Sequence, residues 1–207
     1  MKRCLDIFGA GLGLIVLLPV FALISVCIWL EDRGSPLFHQ KRVGRHGRFF
    51  ELMKFRSMRT GTRGATITAG GDPRCTRVGR VLRRYKLDEL PQLWNVLRGD
   101  MSLVGPRPEI PLFVDASAPV WQDVLSVRPG ITDLASLIYR NEEELLRLAA
   151  DVEREYRERI LPDKLQLNLQ YLKRQSMTGD LYIILLTLRY SLFPAAFDSG
   201  RVRQLAG

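Results

Sequence analysis

LRRYKLDELPQLWNVLRGDMSLVGPRPE, Leu82–Glu109, is the stretch from which the rest of the chain can be read. It holds an adjacent carboxylate pair, Asp88-Glu89. Leu87, Leu90, Leu93, Trp94 and Leu97 recur at helical spacing, so the pattern predicts a short helix with one apolar face. Asp88 suits an N-cap and Pro91 suits a first turn, which predicts that the helix starts at the carboxylates. The positive end of the helix dipole would then point at them, and at any phosphate beside them. Arg83, Arg84 and Lys86 precede the pair, and Arg107 follows in the stiff turn Gly105-Pro106-Arg107-Pro108. By itself an Asp-Glu pair at a helix start is ordinary capping. Carboxylates ringed by cations point further, to phosphate chemistry assisted by a hard divalent cation.

Charge is concentrated around this stretch. From Lys41 to Arg107, 16 lysines and arginines stand against 5 acidic residues, an excess larger than the whole chain's net +9 over 207 residues. Such a block implies an anionic partner: nucleic acid, anionic lipid or a phosphorylated small molecule. The three cysteines, Cys4, Cys27 and Cys75, have no disulfide or metal-ligand spacing, which fits a reducing compartment. Two histidines, His39 and His46, are too few for a histidine zinc site and read as strand or loop residues.

From Ile7 to Leu30 run 24 residues without a charge. A straight helix of that length is about 36 Å, enough to cross a bilayer core of about 30 Å. Pro19 divides it into Ile7–Leu18 and Pro19–Leu30, each about 18 Å, enough to reach the midplane only. Cations flank both ends, Lys2 and Arg3 before it and Arg33, Lys41, Arg42, Arg45 and Arg48 after it. Both ends therefore favour the cytoplasmic side. A re-entrant helix, bent at Pro19 and leaving by the face it entered, satisfies both observations. A kinked spanning helix is the simpler alternative.

Beyond the apolar segment, Ser35–Met58 reads as a β-hairpin, with strands over Pro36–Arg42 and Arg48–Phe55 and turn chemistry at Val43–Gly47. Alternation puts Lys54 and Arg56 on one face, where two cations could grip a diphosphate. Arg59–Pro73, rich in Gly and Thr, reads as a loop without Walker spacing. Thr76–Tyr85 is a short basic helix with Val78, Val81 and Leu82 inward. Helix is expected near Val120–Leu125, and a turn with a cation at Arg128–Thr132. Asn141–Ile160 reads as one long amphipathic helix, with Glu142, Glu143 and Glu144 complementing its dipole. Another helix starts at Leu161-Pro162. Leu181–Phe197 is apolar but for Arg189, and reads as an interfacial or core helix.

These motifs together resemble the bacterial sugar transferases, the monotopic polyprenol-phosphate phosphoglycosyl transferases in their small single-domain form. The resemblance runs nearly end to end. It rests on the charged-then-apolar N-terminal segment with its proline, the strand Lys54-Phe55-Arg56-Ser57-Met58, and the LDELPQLWNVLRGDMSLVGPRPE block. Arg128-Pro129-Gly130-Ile131-Thr132, Leu161-Pro162-x-Lys164-Leu165 and the apolar C-terminal helix complete it.

The resemblance implies an α+β fold, mostly helical with a small β-hairpin, a re-entrant membrane helix over 1–34 and a cytoplasmic, membrane-associated catalytic domain over 35–207. It implies transfer of a sugar-1-phosphate from a nucleotide diphosphate sugar, a UDP-sugar by family expectation, to undecaprenyl phosphate at the cytoplasmic face of the bacterial inner membrane. This would be the first membrane step of polysaccharide assembly, run as a ping-pong reaction through an aspartyl-phosphosugar. Asp88 would be nucleophile and Mg²⁺ ligand, and Glu89 its acid/base or orienting partner. Lys54, Arg56, Arg83, Arg107 and Arg128 would bind phosphates. The chain departs from the family pattern at Leu18, often Ser in relatives, at Asp133, often Gly, and over Leu134–Arg140, where donor specificity is expected.

Two other classes use the same features. One is a Mg²⁺-dependent membrane hydrolase that passes the intermediate to water. The other is a non-enzymatic membrane-anchored module with a basic binding face; no basic–aromatic nucleic-acid motif supports it, so nucleic acid is not an expected partner. Apolar faces near Trp121 and along Leu181–Phe197 leave lipid or a second subunit, as a homodimer, open.

Overall fold

The computed structural model describes residues 2–59 and 67–204. The chain is mostly helical, with two small two-stranded sheets. The loop expected over Arg59–Pro73 lies partly outside the described residues.

The apolar segment forms two helices, α1 (Lys2–Val16) and α2 (Leu18–Asp32), bent by 60°. The break is at Leu17, slightly before the expected Leu18–Pro19 junction, because Pro19 fits inside the first turn of α2, where its missing N–H costs nothing. Neither helix alone is long and apolar enough to cross a membrane; the bent pair passes that test together. Phe8, Leu12, Ile15, Val16, Leu18, Leu23, Val26 and Leu30 are exposed along it.

Both ends of the pair are tied down. At the start, Lys2 pairs with Asp180, and Arg3 donates to the Val96 and Leu97 carbonyls at 2.7 and 3.1 Å. One turn on, buried Asp6 accepts from Ser102 Oγ and from the Leu103 N–H at 2.9 Å. At the finish, Glu31 accepts the Arg77 and Val78 N–H groups at 2.6 and 3.1 Å, and Asp32 pairs with Arg56.

The hairpin is as expected: β1 (Leu37–Val43) pairs antiparallel with β2 (Phe49–Phe55), from Leu37 opposite Phe55 to Val43 opposite Phe49. Then come α3 (Arg77–Arg84), capped by the Thr76 hydroxyl, and α4 (Gln92–Arg98), closed by Gly99 at φ +95°. Val81, expected inward, is exposed, whereas Leu82 is buried.

α4 differs from its sequence pattern in two ways. It begins at Gln92 after Pro91, not at the carboxylates, and its most buried residues are Gln92, Asn95 and Val96, with Trp94 half-exposed. Asn95 is the reason. Its carboxamide takes the Met53 N–H at 3.0 Å and donates to the Glu51 carbonyl at 2.8 Å, satisfying the open edge of β2 from within the core.

A second sheet, which the sequence pattern does not predict, joins β3 (Ser102–Val104) and β4 (Gly130–Thr132) in parallel. Between them lies α5 (Pro119–Val124), and after them α6 (Leu134–Ile138), capped by Asp133. The long helix expected over Asn141–Ile160 is divided into α7 (Glu142–Leu146) and α8 (Val152–Glu155). Asp151 caps α8 by accepting the Arg154 N–H, which restarts the helix. α8 runs through a π-turn at Tyr156–Ile160 into α9 (Leu161–Arg174), so Leu161-Pro162 continues a helix rather than starting one. The π-turn accommodates the proline's absent N–H. α10 (Met177–Leu192) and α11 (Ser199–Gln204) close the described chain. α10 ends at Leu192, short of the expected Phe197; it buries Ile183, Leu186 and Tyr190 and exposes Leu181, Leu185, Leu188 and Leu192.

The bent pair shares its cores with the hairpin, α3 and α4. Ala10 of α1 packs with Leu52, Val96 and Met101. Ile24 and Ile28 of α2 pack with Phe55 and Leu82, joined by Val20, Phe21, Leu87 and Leu90.

Candidate active site

Asp88 and Glu89 lie in a 3-10 turn, Leu87–Glu89, between α3 and α4. Neither caps a helix. Lys86 opens the turn in the left-handed region at φ +57°, a conformation a side chain adopts at some cost. Leu87 and Leu90 point into the apolar core on either side, so both carboxylates are pinned and buried.

Glu89 is fully committed. Arg107 grips it in bidentate fashion, Nη2 to Oε1 at 2.5 Å and Nη1 to Oε2 at 2.9 Å, and Lys54 Nζ stands 3.9 Å from Oε1. Burial alone would push its carboxyl up. The charges of Arg107, Lys54 and Lys86 and the Arg107 hydrogen bond outweigh that and hold it well below the usual range. The reciprocal effect raises Arg107 over its own desolvation. Lys54 is pushed down to about 8, by desolvation first and by Arg107.

Asp88 stands apart from this network. Its Oδ1 is buried with no hydrogen-bond partner among the described residues. Burial, reinforced by the charge on Glu89, raises its pKa. An orphaned anionic oxygen facing cations is a position for an electrophile or a cation. No group of three or more His, Cys, Asp or Glu side chains among the described residues could enclose a metal. The donor set instead fits Mg²⁺, which takes one or two carboxylates and completes its shell with water and substrate phosphates.

Of the five expected phosphate-binding cations, Lys54 and Arg107 are at the pair. Arg83 is near it: its charge acts on Asp88, but its guanidinium pairs with Glu143 and its Nη1 is 3.5 Å from Ser57 Oγ. Glu143, in the first turn of α7 with Glu142 and Glu144 as expected, thus also pairs across the fold, and Glu142 likewise pairs with Lys164. Arg56 is not in the site. β2 ends at Phe55, so strand alternation does not carry to Arg56, which turns back to Asp32 at 2.5 and 2.6 Å and to the Ser35 carbonyl. Arg128 is also elsewhere: its Nε donates to the Gly99 carbonyl at 2.9 Å, at the end of α4 remote from the carboxylates.

Two contributors were not among the expected site residues, although Asp133 stood out as a departure from the family pattern and Arg140 lies in the segment where donor specificity is expected. Asp133, fully buried, accepts the Arg107 N–H at 3.1 Å with Oδ2 and the Ser136 N–H with Oδ1, so it fixes the turn that aims Arg107. Arg140, buried, donates to the Arg84 carbonyl at 2.9 Å and feels the charge of Glu89.

The family model for bacterial sugar transferases matches residues 1–194. The undecaprenyl-phosphate glucose phosphotransferase of Komagataeibacter xylinus is 38% identical over 202 residues, covering 93% of this chain and 36% of that protein. The UDP-glucose:undecaprenyl-phosphate glucose-1-phosphate transferase of Caulobacter vibrioides is 39% identical over 192 residues, 90% of this chain and 68% of its own length. An Aeromonas hydrophila enzyme named UDP-N-acetylgalactosamine-undecaprenyl-phosphate N-acetylgalactosaminephosphotransferase is 39% identical over 194 residues, 91% and 43%. The chain therefore spans about a third to two thirds of the length of these relatives.

Proposed function

The chain belongs to the bacterial sugar transferase family, and from that premise we propose that it transfers a sugar-1-phosphate from a nucleotide diphosphate sugar to undecaprenyl phosphate. Relatives named for glucose and N-acetylgalactosamine transfer support a UDP-sugar donor. The observation that carries the reading is the division of labour in the buried pair: Glu89 is saturated with cations, and Asp88 keeps a free oxygen.

In the first half-reaction, Asp88 Oδ1 attacks the sugar-proximal phosphorus. The bond from that phosphorus to the bridging oxygen breaks and nucleoside monophosphate leaves. In the second, a phosphate oxygen of the lipid attacks the aspartyl phosphorus and Asp88 is released. Phosphoryl transfer is mostly positioning and charge neutralisation, and Lys54, Arg107 and Arg83 supply cations for it. Bound Mg²⁺, held by Asp88, would supply further neutralisation of phosphate charge. Glu89 acts as the orienting partner, because an ionised, doubly paired carboxylate has no proton to give. The raised pKa of Asp88 makes its ionised form the better nucleophile.

The bent pair α1–α2 enters the cytoplasmic leaflet of the bacterial inner membrane and returns, with α10 at the interface. Support comes from its ends, which attach to one folded body through Arg3 and Asp6 at one side and Glu31 and Asp32 at the other. Cations at both ends agree. Labelling of a cysteine placed near residue 2 in intact cells should report a cytoplasmic N-terminus; external labelling overturns this topology.

The activity is tested with purified protein in detergent, Mg²⁺ and undecaprenyl phosphate, screening UDP-sugars for UMP release with and without the lipid. Lipid-dependent release with one donor is expected. Release that ignores the lipid would replace the reading with a hydrolase, and silence across the panel would refute the UDP-sugar donor.

A further inference from the structure

We propose that Lys86 is a phosphate-binding residue of this site, the cation that stands ready for the substrate while its neighbours are occupied. The inference rests on the transferase reading for its ligand class, a phosphate group of the donor or acceptor.

The cations around Asp88 differ in what they already hold. Arg107 is bidentate on Glu89, Lys54 faces the same carboxylate, and Arg83 pairs with Glu143. Each must give up an acceptor, or share it, to bind phosphate. The half-buried Lys86 side chain makes no hydrogen bond or ion pair among the described residues, yet it lies close enough to influence both carboxylates. An ammonium left free beside two buried carboxylates has its donors available for a third anion.

The backbone supports the assignment. Lys86 is left-handed at φ 57°, ψ 23°, where glycine is the unstrained choice. Its N–H is bonded to the Arg83 carbonyl at 3.2 Å and its carbonyl receives the Glu89 N–H at 3.3 Å, so the conformation is fixed by the turn carrying the carboxylates. The left-handed backbone thus holds the Lys86 side chain on the turn that carries both carboxylates.

That strain also supplies a clean variant. K86G removes the ammonium and relieves the backbone, so its melting temperature separates a loss of function from a loss of fold. Binding of UDP, as the diphosphate probe, is measured by calorimetry for wild type, K86M, K86G and K86R, alongside acceptor KM in the UMP-release assay. The expected result is about a 10-fold loss in K86M and K86G, the scale of one charge-assisted contact, with recovery in K86R and a melting temperature for K86G equal to or above wild type. Loss of UDP binding assigns the donor diphosphate. A raised acceptor KM with UDP binding intact assigns the lipid phosphate. Wild-type UDP binding and acceptor KM in both K86M and K86G would overturn the proposal. UDP binding does not require turnover, so a failed transferase reading and a failed Lys86 assignment give different results.

Discussion

Replacing Arg107 with methionine should expose how much of the site's architecture depends on one ion pair. Arg107 meets both oxygens of Glu89, at 2.5 and 2.9 Å, and both side chains are largely shielded from water. Breaking a buried pair by removing one partner costs about 3–5 kcal/mol, because the other charge is left uncompensated. Lys54 remains 3.9 Å away, so the lower end, about 3 kcal/mol, applies. For a chain of this size that corresponds to a fall in melting temperature of roughly 6–12 °C. The loss has a pH signature. In the wild type Glu89 is held below its ordinary pKa, so it contributes stability that is present above the unfolded value and lost as pH falls through the folded one. In R107M the buried carboxyl is pushed upward and opposes folding at neutral pH until it is protonated. The gap between R107M and wild type should therefore be widest near pH 7–8 and narrow as the medium is acidified. Thermal unfolding in detergent across pH 5–8 measures it. E89Q/R107M should recover most of the loss, giving a coupling energy of about 3 kcal/mol in the double-mutant cycle. R107M melting with wild type at pH 7, or a gap that does not narrow on acidification, would refute the argument.

D88N should abolish UMP release while melting at or above the wild-type temperature, since it removes a buried charge whose Oδ1 has no partner; wild-type turnover would remove Asp88 as nucleophile. Lys54 titrates at about 8, so its cation is present below that pH and lost above it. The rate should fall on the alkaline side near pH 8, and K54R, which stays charged, should carry activity past that limb; an unmoved limb excludes Lys54 as its source. Gly130→Ala should prevent stable folding or cost at least about 3 kcal/mol, because its Cβ would lie 2.1 Å from the Gly105 nitrogen across the β3–β4 contact. A wild-type melting curve for that variant would mean the parallel pair is not as close as described.

What the sequence disclosed obeyed local rules, and what it concealed did not. The β1–β2 hairpin, α3 behind Thr76 and the bend before Pro19 each arise from strand alternation, a capping hydroxyl and a missing N–H. The gathering of cations about Asp88-Glu89 was legible in part, with Lys54 and Arg107 at the pair, but the 3-10 turn was not, because Asp is a good cap and nothing local says that Lys86 will turn left-handed. The parallel β3–β4 pair was invisible, since three-residue strands about 28 positions apart have no periodicity to read. Arg56 and Arg128 were misplaced for one reason: a cation's partner is decided by tertiary structure. The termini of α2 and α4 present a carboxylate and a carbonyl that claim them. Asn95 hides in the same way, a polar residue whose strand-edge partners appear only after folding.

The arrangement of the bent pair bears on how a lipid phosphate and a nucleotide sugar could share one aspartate. Gly13 of α1 meets α4 at Leu93, close enough that a Cβ would lie 3.2 Å from its Cδ1, while Val20 and Phe21 of α2 join the core containing Leu87 and Leu90. These contacts fall on either side of the break at Leu17; Leu87 and Leu90 flank the carboxylates, and Leu93 lies in the first turn of α4 just after them. Farther from the break, the polar contacts of Arg3 and Glu31 fix the far end of α4 and the start of α3. Each arm therefore holds one of the two helices that carry the Asp88-Glu89 turn, with apolar contacts towards the bend and polar contacts away from it. Under the re-entrant topology, that gradient sets the depth of Asp88: a shift of the pair along the membrane normal would drag the leucines and the turn with it. A charged cluster that must meet a phosphate at headgroup level gains from being fixed to the element that fixes its depth, and a separate anchor on a loose linker would not provide this.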